Sequence, residues 1–422
     1  MRNQNSKSAA HPSFSPSKVC TLSTLALAIA MATPVQASGI LLQEAVVANA
    51  GTTGAGDGVH TRSAAAMWTN PATMSFMGES KTTINALGFD LKLAYEDLEG
   101  SDNGSTQSYQ PSLAAFHTRQ LNEDVFFGVG FGAAGGSSLD YGPSWAASGL
   151  LESTTLMMLQ INPALSFKVN DQWSWGMGAQ INYVTFEQET SALSIDQESD
   201  WALGFNMGVM YRHSDNLDFG FSFRSKVEHD LNASASLKGS DTSPITGVST
   251  EVAMPAIVDL SARWGVQNNL DLLASFQWHR WSEWDKLPLN LQTDGTCPPF
   301  LCNQNIERDW SDVWKLAFGA DYQLNSDWRL KAGISYESSP QNDASLQWVD
   351  VPVGEQWRYS VGAATNVNGY GIDFFYEYAD LGTTDIDRTI GYPNAPGGNL
   401  PSERIYGQFD GRIHFIGLNV TF

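Results

Sequence analysis

From residue 81 to residue 422 the chain sets apolar side chains at alternate positions in short segments, with turn residues between them. A period of two belongs to a β-strand whose two faces meet different surroundings. No run of about 18 uncharged apolar residues follows residue 37, so a helical route across a bilayer is closed. A sheet enters lipid only when its edges pair with each other, because hydrocarbon offers nothing to an unpaired backbone amide. The pattern therefore predicts an all-β transmembrane fold, an antiparallel outer-membrane β-barrel of about fourteen strands. The segments are residues 81–96, 111–119, 125–134, 154–169, 173–187, 201–211, 217–237, 252–266, 270–291, 310–324, 328–338, 357–367, 371–379 and 412–422.

Connections alternate between short turns, such as Ser214-Asp215-Asn216 and Asn325-Ser326-Asp327, and long loops. In bacterial barrels the short turns face the periplasm, which places both termini on that side. On the last segment His414, Ile416, Leu418, Val420 and Phe422 share the lipid face, and Ile413, Phe415, Gly417, Asn419 and Thr421 the inner one. Likewise Trp314, Leu316 and Phe318 face out against Lys315 and Asp321, and Trp328, Leu330 and Ile334 against Arg329 and Lys331. A slip of one residue would put Lys or Arg into hydrocarbon at roughly 2–4 kcal/mol each, so register is firmly specified. Trp173, Trp264 and Trp328 beside short turns, with Tyr95, Trp281, Trp284, Trp310 and Trp357 toward long loops, give two aromatic belts. A soluble β-sandwich needs no such pair.

Residues 38–80 do not alternate. Small residues predominate between Ser38 and Met77, and a compact segment ahead of a barrel reads as a plug inside it. An Asn-Pro pair ends whatever precedes it; Asn70, Pro71 and Ala72 either fix that plug to the wall or form an ordinary turn. The series Gly51, Gly54, Gly56, Gly58 follows no strand and lacks the Lys-Ser/Thr of a phosphate loop, so close packing explains it better. Residues 1–37 read as a secretory leader, with Arg2, Lys7 and Lys18 ahead of or beside an apolar run and a small-residue end at Pro34-Val35-Gln36-Ala37. Its loss removes cations and no acid from a chain of net charge −22. The acidity of the mature chain speaks against nucleic acid as a partner.

Cys297 and Cys302 remain in one loop of an exported chain, the setting of a local disulfide; one cysteine pair without a nearby His does not make a zinc site. No metal and no cofactor is expected. The chain has neither a Gly-x-Ser-x-Gly elbow nor His-Glu-x-x-His, which leaves only a barrel lipase whose Ser and His meet in space as a distant enzyme alternative.

The N-terminal segment ending in Asn70-Pro71-Ala72, the fourteen alternating segments, the block from Val313 to Pro340 and the last strand closing on Phe422 together resemble the long-chain fatty acid transport (FadL-type) family of outer-membrane channels. The resemblance implies an outer-membrane location in a Gram-negative bacterium. It also implies an N-terminal hatch that stops the lumen, capture of a hydrophobic substrate among the outer loops, and sideways exit through a gap made by an inward kink in the third strand. On that reading Ser38, Gly39, Ile40, Leu41 and Leu42 begin the hatch and move, while Asn70, Pro71 and Ala72 hold the rest.

The third strand carries Gly128, Gly130, Gly132, Gly135 and Gly136. Glycine weakens a strand and marks bulges; the same small residues would also make room for a plug. Tyr141, Trp145, Leu150 and Leu151 make the following loop apolar, fit to receive an acyl chain or to pack on a neighbouring loop. Lys315, Lys331 and Arg358 face the lumen and suit a carboxylate head group; with Asp373 and Glu377 they equally make a ladder of paired charges. On the fifth strand, where family members carry a basic residue, stands Tyr183-Val184-Thr185-Phe186, which favours a neutral ligand. The expectation is a monomer, surrounded by outer-membrane lipid, that passively transports long-chain fatty acids or similar hydrophobic molecules. A polar-solute porin or structural surface protein is the alternative, and a steady large conductance would distinguish it.

Overall fold

The computed structural model describes residues 41–239, 245–294, 303–352, 354–390 and 403–422. The expected leader, the hatch residues Ser38, Gly39 and Ile40, and both Cys297 and Cys302 lie outside the described residues.

The first half of the wall is β1 (Ser80–Asp97), β2 (Gly104–Gln120), β3 (Val125–Asp140), β4 (Ser153–Lys168), β5 (Trp173–Glu189), β6 (Leu193–Ser214), β7 (Leu217–Arg224) and β8 (Val227–Leu237). The second is β9 (Ile245–Met254), β10 (Ile257–Gln267), β11 (Leu270–His279), β12 (Lys286–Thr293), β13 (Asn303–Glu307), β14 (Val313–Gln323), β15 (Trp328–Glu337), β16 (Gln356–Val367), β17 (Tyr370–Ile390) and β18 (Glu403–Thr421). Every pairing is antiparallel, and β18 returns to β1 from Thr83↔Thr421 to Asp97↔Gly407. The segments β7 and β8, β9 and β10, β11 and β12, and β13 and β14 are broken lengths of single wall strands. The result is a closed barrel of fourteen strands, and no helix among the described residues is long and apolar enough to cross a membrane.

Alternation located the strands but not their outer ends. β2 starts at Gly104 within what reads as a polar loop, β6 starts at Leu193, β17 runs to Ile390 and β18 begins at Glu403. Beyond the bilayer both faces of a strand can meet water, so the apolar alternation fades while the backbone ladder continues.

The faces follow the expected parity. Ile413 and Phe415 are fully buried while Ile416 is 68% exposed, and Lys315 and Asp321 point inward between the exposed Trp314, Phe318 and Tyr322. Trp173, Trp264 and Trp328 form the lower belt as expected. The upper belt differs: it consists of Trp201, Trp314 and Trp357, with Tyr336 between the last two at ring separations of 5.0 Å. Tyr95, Trp281, Trp284 and Trp310 are buried instead. Trp284 stacks on Trp310 and Trp281 meets both edge-on, with the guanidinium of Arg308 over Trp284 and Trp310, and the three form an apolar core for the part of the barrel that stands above the membrane.

Residues 41–79 fold into short helical turns (Gln43–Val46, Asp57–Val59, Ala66–Thr69 and Pro71–Phe76) inside the cylinder. Leu42, Met67 and Met74 are fully buried in one apolar cluster with the inward Leu87, Phe116 and Phe126 of the wall. Four glycines on tight turns let this segment double back: Gly51, Gly54, Gly56 and Gly78 all have positive φ.

Candidate functional site: a stopped lumen and an interrupted wall

Asn70 occupies the centre of the anchoring. Its Oδ1 accepts from the amide of Ala72 at 3.0 Å, which fixes the turn after Pro71, and its Nδ2 donates to the carbonyls of Gly58 at 2.8 Å and Val209 at 3.1 Å. The Ala72 carbonyl accepts from Ser174 Oγ (2.8 Å) and Ser166 Oγ (3.2 Å) of neighbouring wall strands. Gly176 and Gly208 admit this contact: a Cβ on Gly176 would come within 2.7 Å of the Pro71 backbone, and one on Gly208 would collide with Asn70 Oδ1. Farther round the wall Gly56 and Gly58 donate to Ser275 and Ser261, and the space for the Thr52 backbone exists because residue 333 is glycine. Asp57 ties the segment to itself, accepting from the amides of Ala48 and Asn49 at 2.9 Å each. Burial pushes its carboxyl up, and those two amides oppose the shift.

Residues 41–47 are held differently. Glu44 and Arg358, both buried, form an ion pair at 2.5 Å, and Gln43 accepts from Lys315 Nζ at 2.7 Å while donating to Gln277 at 3.0 Å. Lys331 lies on the periplasmic side and pairs with Asp373. Lys331 thus stands apart from Lys315 and Arg358, which share the hatch front, and among the described residues the acid nearest Arg358 comes from the hatch, ahead of the wall's Glu337 at 3.9 Å.

A cavity borders this front segment, walled by Leu42, Val46, Trp68, Met254 and Phe375 and reached by Lys315, Glu377 and Arg224. Arg224 was not singled out by the sequence reading, although it follows Asp218, Gly220 and Ser222 in the inward row of its strand. Its guanidinium donates to the Trp68 carbonyl (2.6 Å), Gln180 Oε1 (2.5 Å) and Gln160 Oε1 (3.1 Å), and lies over the Trp68 ring. All of these acceptors are neutral, and among the described residues no carboxylate pairs with it. A desolvated cation with only neutral partners is suited to an incoming anion.

The wall is interrupted beside the same cavity. β2 and β3 are laddered only from Gln120↔Phe126 to Ala115↔Phe131, whereas β3 stays paired to β4 as far as Asp140↔Ser153 through a bulge between Ala133 and Gly135. In place of β2, the hatch front meets β3 there: Leu41 bridges to Gly135, and the Leu42 amide reaches the Ala134 carbonyl. Gly128, Gly130 and Gly132 turn inward under Met67, Met74, Trp68 and Val46, so these three make room for the hatch. Gly135 and Gly136 are in the part of β3 that has left β2.

Above the break, Tyr141, Trp145 and Leu151 are buried and Leu150 partly so. Trp145 stacks on Tyr141 at 4.3 Å, meets Tyr95 edge-on at 5.5 Å, and donates its indole N–H to the Leu151 carbonyl at 2.7 Å. Burial, with Asp350 adding to it, pushes the Tyr141 phenol up. These side chains pack down over the inner wall between Tyr95 and Phe409.

The family described as outer membrane protein transport protein (OMPP1/FadL/TodX) matches residues 28–422. Curated relatives include the long-chain fatty acid transport protein of Escherichia coli K12, 20% identical over 82% of this chain and 88% of that one. Outer membrane protein P1 of Haemophilus influenzae is 22% identical over 81% and 86%. A putative outer membrane protein of Neisseria meningitidis is 24% identical, with the chain spanning about half of it (51%). Among solved structures, a FadL homologue of Pseudomonas aeruginosa superposes with a TM-score of 0.79 at 19% identity, covering 91% of this chain and 99% of that one. The toluene transporter TodX of Pseudomonas putida gives 0.65 at 14% identity, covering 89% and 98%. With its closed fourteen-stranded wall and a match over nearly its whole length, the chain belongs to the OMPP1/FadL/TodX family of outer-membrane transport proteins.

Proposed function

We propose that the protein is a passive channel for long-chain fatty acids or closely similar hydrophobic acids. Substrate is captured at the apolar loop around Tyr141 and Trp145 and passes to the cavity beside the hatch. Displacement of residues 41–47 then opens the way out between β2 and β3. The observation that carries this reading is the coincidence of wall break and hatch front: β3 parts from β2 where Leu41 and Leu42 take its place. No covalent chemistry is needed, because the route only exchanges one apolar environment for another.

Among hydrophobic ligands, an acid is favoured over a neutral hydrocarbon by Arg224, with Lys315 as the second cation at the cavity. Lys331 and Arg358 act as hatch-side structural charges, since each has a carboxylate of its own. The relatives named for fatty acid transport fit this choice, and those named for toluene show that the architecture also serves neutral cargo.

Uptake of radiolabelled oleate by a deletion strain tests the reading. The wild-type gene restores uptake. A disulfide between Ala114→Cys and Gly132→Cys, positions whose Cβ atoms come together across the break, blocks it until reductant is added. In the same cells Arg224→Gln weakens oleate uptake about tenfold, on the order of one charge-assisted hydrogen bond, and leaves uptake of a neutral alkane alone. Oleate uptake that is unaffected by the oxidised pair would end the proposed exit route.

A further inference from the structure

The backbone ladder of the wall is interrupted at a second place. β6 and β7 are laddered from Ser214↔Leu217 to Asn206↔Arg224, and the Ser225 amide adds one bond to the Phe205 carbonyl at 2.9 Å. Pairing then resumes only between β6 and β8, at Ile195↔Ala235. The offset between the strands is the same at both ends, so residues 196–204 stand opposite residues 226–234 in equal number. Among the described residues no ladder joins them.

The cause is phase. Directly opposed residues of a ladder point to the same face of the sheet. On β6 the inward set is Asp200, Ala202, Gly204 and Asn206, with Trp201, Leu203 and Phe205 outward. On the facing strand the inward set changes parity at Ser225-Lys226, from Ser222 and Arg224 to Val227, His229 and Leu231. Leu203, 77% exposed, therefore stands opposite the buried Val227, and Trp201, 62% exposed, opposite the buried His229. Neither strand can satisfy the other's backbone without a slip that would turn its side chains over. A shift in the β5–β6 register near Phe186 and Gln188 restores agreement above.

Side chains span the seam. His229 Nδ1 meets Asp200 Oδ2 at 3.1 Å, while His229 Nε2 is buried without a partner. On the inner side Val227 and Leu231 belong to the apolar cluster that holds Leu42, Trp68 and Met254, three residues of the cavity wall. On the outer side Trp201 and Leu203 lie at the level where the outward face changes from apolar on β6 to Glu228 and Asp230 on β8, which is the outer membrane surface. Apolar side chains thus flank the lower end of the seam on both faces of the wall, and among the described residues no ladder joins residues 196–204 to 226–234 there.

We propose that the lower end of this seam, between Leu203 and Val227, is a side port through which the acyl chain of a single-chain amphiphile in the outer leaflet reaches the cavity. The port rests on the channel reading and supplies it with a second entrance, separate from the outer loops and on a different part of the wall from the β2–β3 break.

The test uses the full-length protein, with Cys297→Ser and Cys302→Ser, in phosphatidylethanolamine and phosphatidylglycerol vesicles containing a lysophospholipid with a diazirine near the end of its acyl chain. After illumination, adducts are mapped by peptide mass spectrometry. The outward Trp201 and Leu203 and the inward Val227 and Leu231 are all labelled. Oxidising an Asp200→Cys/His229→Cys pair, or bridging it with a short dithiol-reactive linker, lowers inward labelling at least tenfold, leaves outward labelling unchanged, and is reversed where reduction reopens the bond. The Asp200→Ser/His229→Ser protein loses the same polar pair without a tether and keeps its inward labelling. Absence of inward adducts in the untethered protein, or inward adducts that persist under the tether, overturns the port. Loss of oleate uptake in cells through some other fault of the channel changes none of these adduct patterns, so the two proposals fail separately.

Discussion

The body of the hatch and its front are built from different interactions. Residues 48–79 are held mostly by neutral bonds in which wall hydroxyls and amides meet hatch backbone, such as Ser174 to the Ala72 carbonyl and the Gly58 amide to Ser261. Residues 41–47 add buried charge to a few such bonds: the Glu44–Arg358 pair and the Gln43–Lys315 bond stand beside the Leu42 amide on the Ala134 carbonyl and the Asn85 and Asn419 amides on the Ala45 and Val47 carbonyls, and the segment borders the cavity. Backbone anchors spread along a segment must all be lost together. A front that relies on a buried ion pair and one cation-to-amide bond is weakened by a ligand that competes for those same groups. The difference assigns fixation to one part of the hatch and movement to the other.

That contrast can be broken at several strengths. The largest effect is expected from Gly333→Val. The added side chain would enter the space of the Thr52 backbone, which cannot give way as a flexible side chain could. The cost exceeds about 3 kcal/mol, the upper range for an overpacked core, and heat-modifiable gel migration should show little folded barrel. Asn70→Ala comes next. It strands the carbonyls of Gly58 and Val209 and the Ala72 amide, at about 2–4 kcal/mol for groups left without partners. The barrel should form, but hydrogen exchange across residues 57–76 should accelerate and a steady conductance should appear in planar bilayers.

Glu44→Gln is expected to be milder and to act at the other end. Weakening the charge-assisted contact to Arg358 costs about 1–3 kcal/mol, so exchange over residues 41–47 should rise about tenfold while residues 57–76 keep their protection. Equal acceleration in both parts would remove the distinction between front and body. The smallest effect belongs to Arg62→Ala. Arg62 bridges Asp271 and Asp321 at the periplasmic mouth but is half exposed, and such pairs contribute under about 1 kcal/mol. Oleate uptake and barrel stability should both stay near wild type.

The sequence made the wall legible because lipid on one side and a filled lumen on the other force parity onto every residue, as with Ile413 and Ile416. It was silent where that contrast ends. The extensions of β2, β6 and β17 above the membrane carry no sustained two-residue apolar signal, and Trp281, Trp284 and Trp310, which look like interface residues by position, instead fill a core there. The three glycines Gly128, Gly130 and Gly132 could be assigned to the inner face, but only coordinates distinguish their contact with Met67 and Trp68 from a role in the break itself. Arg358 read as a wall charge because its partner Glu44 is separated from it by most of the chain, and no local spacing reports such a pair. Arg224 had a visible parity but no visible lack of a carboxylate, which depends on every side chain around it.

The ladder between β1 and β18 also bears on how such a molecule is made. Thr82 and Phe422 exchange both backbone bonds, at 2.7 and 2.9 Å, so the first wall strand waits for the final one before the cylinder can shut. The segment that occupies the bore is synthesised before any staves exist, and among its attachments are bonds to β4, β5 and β6, away from the closing edge. A half-built, still-curling sheet can thus cradle its own stopper long before zipping up, and no later threading through a narrow mouth is required.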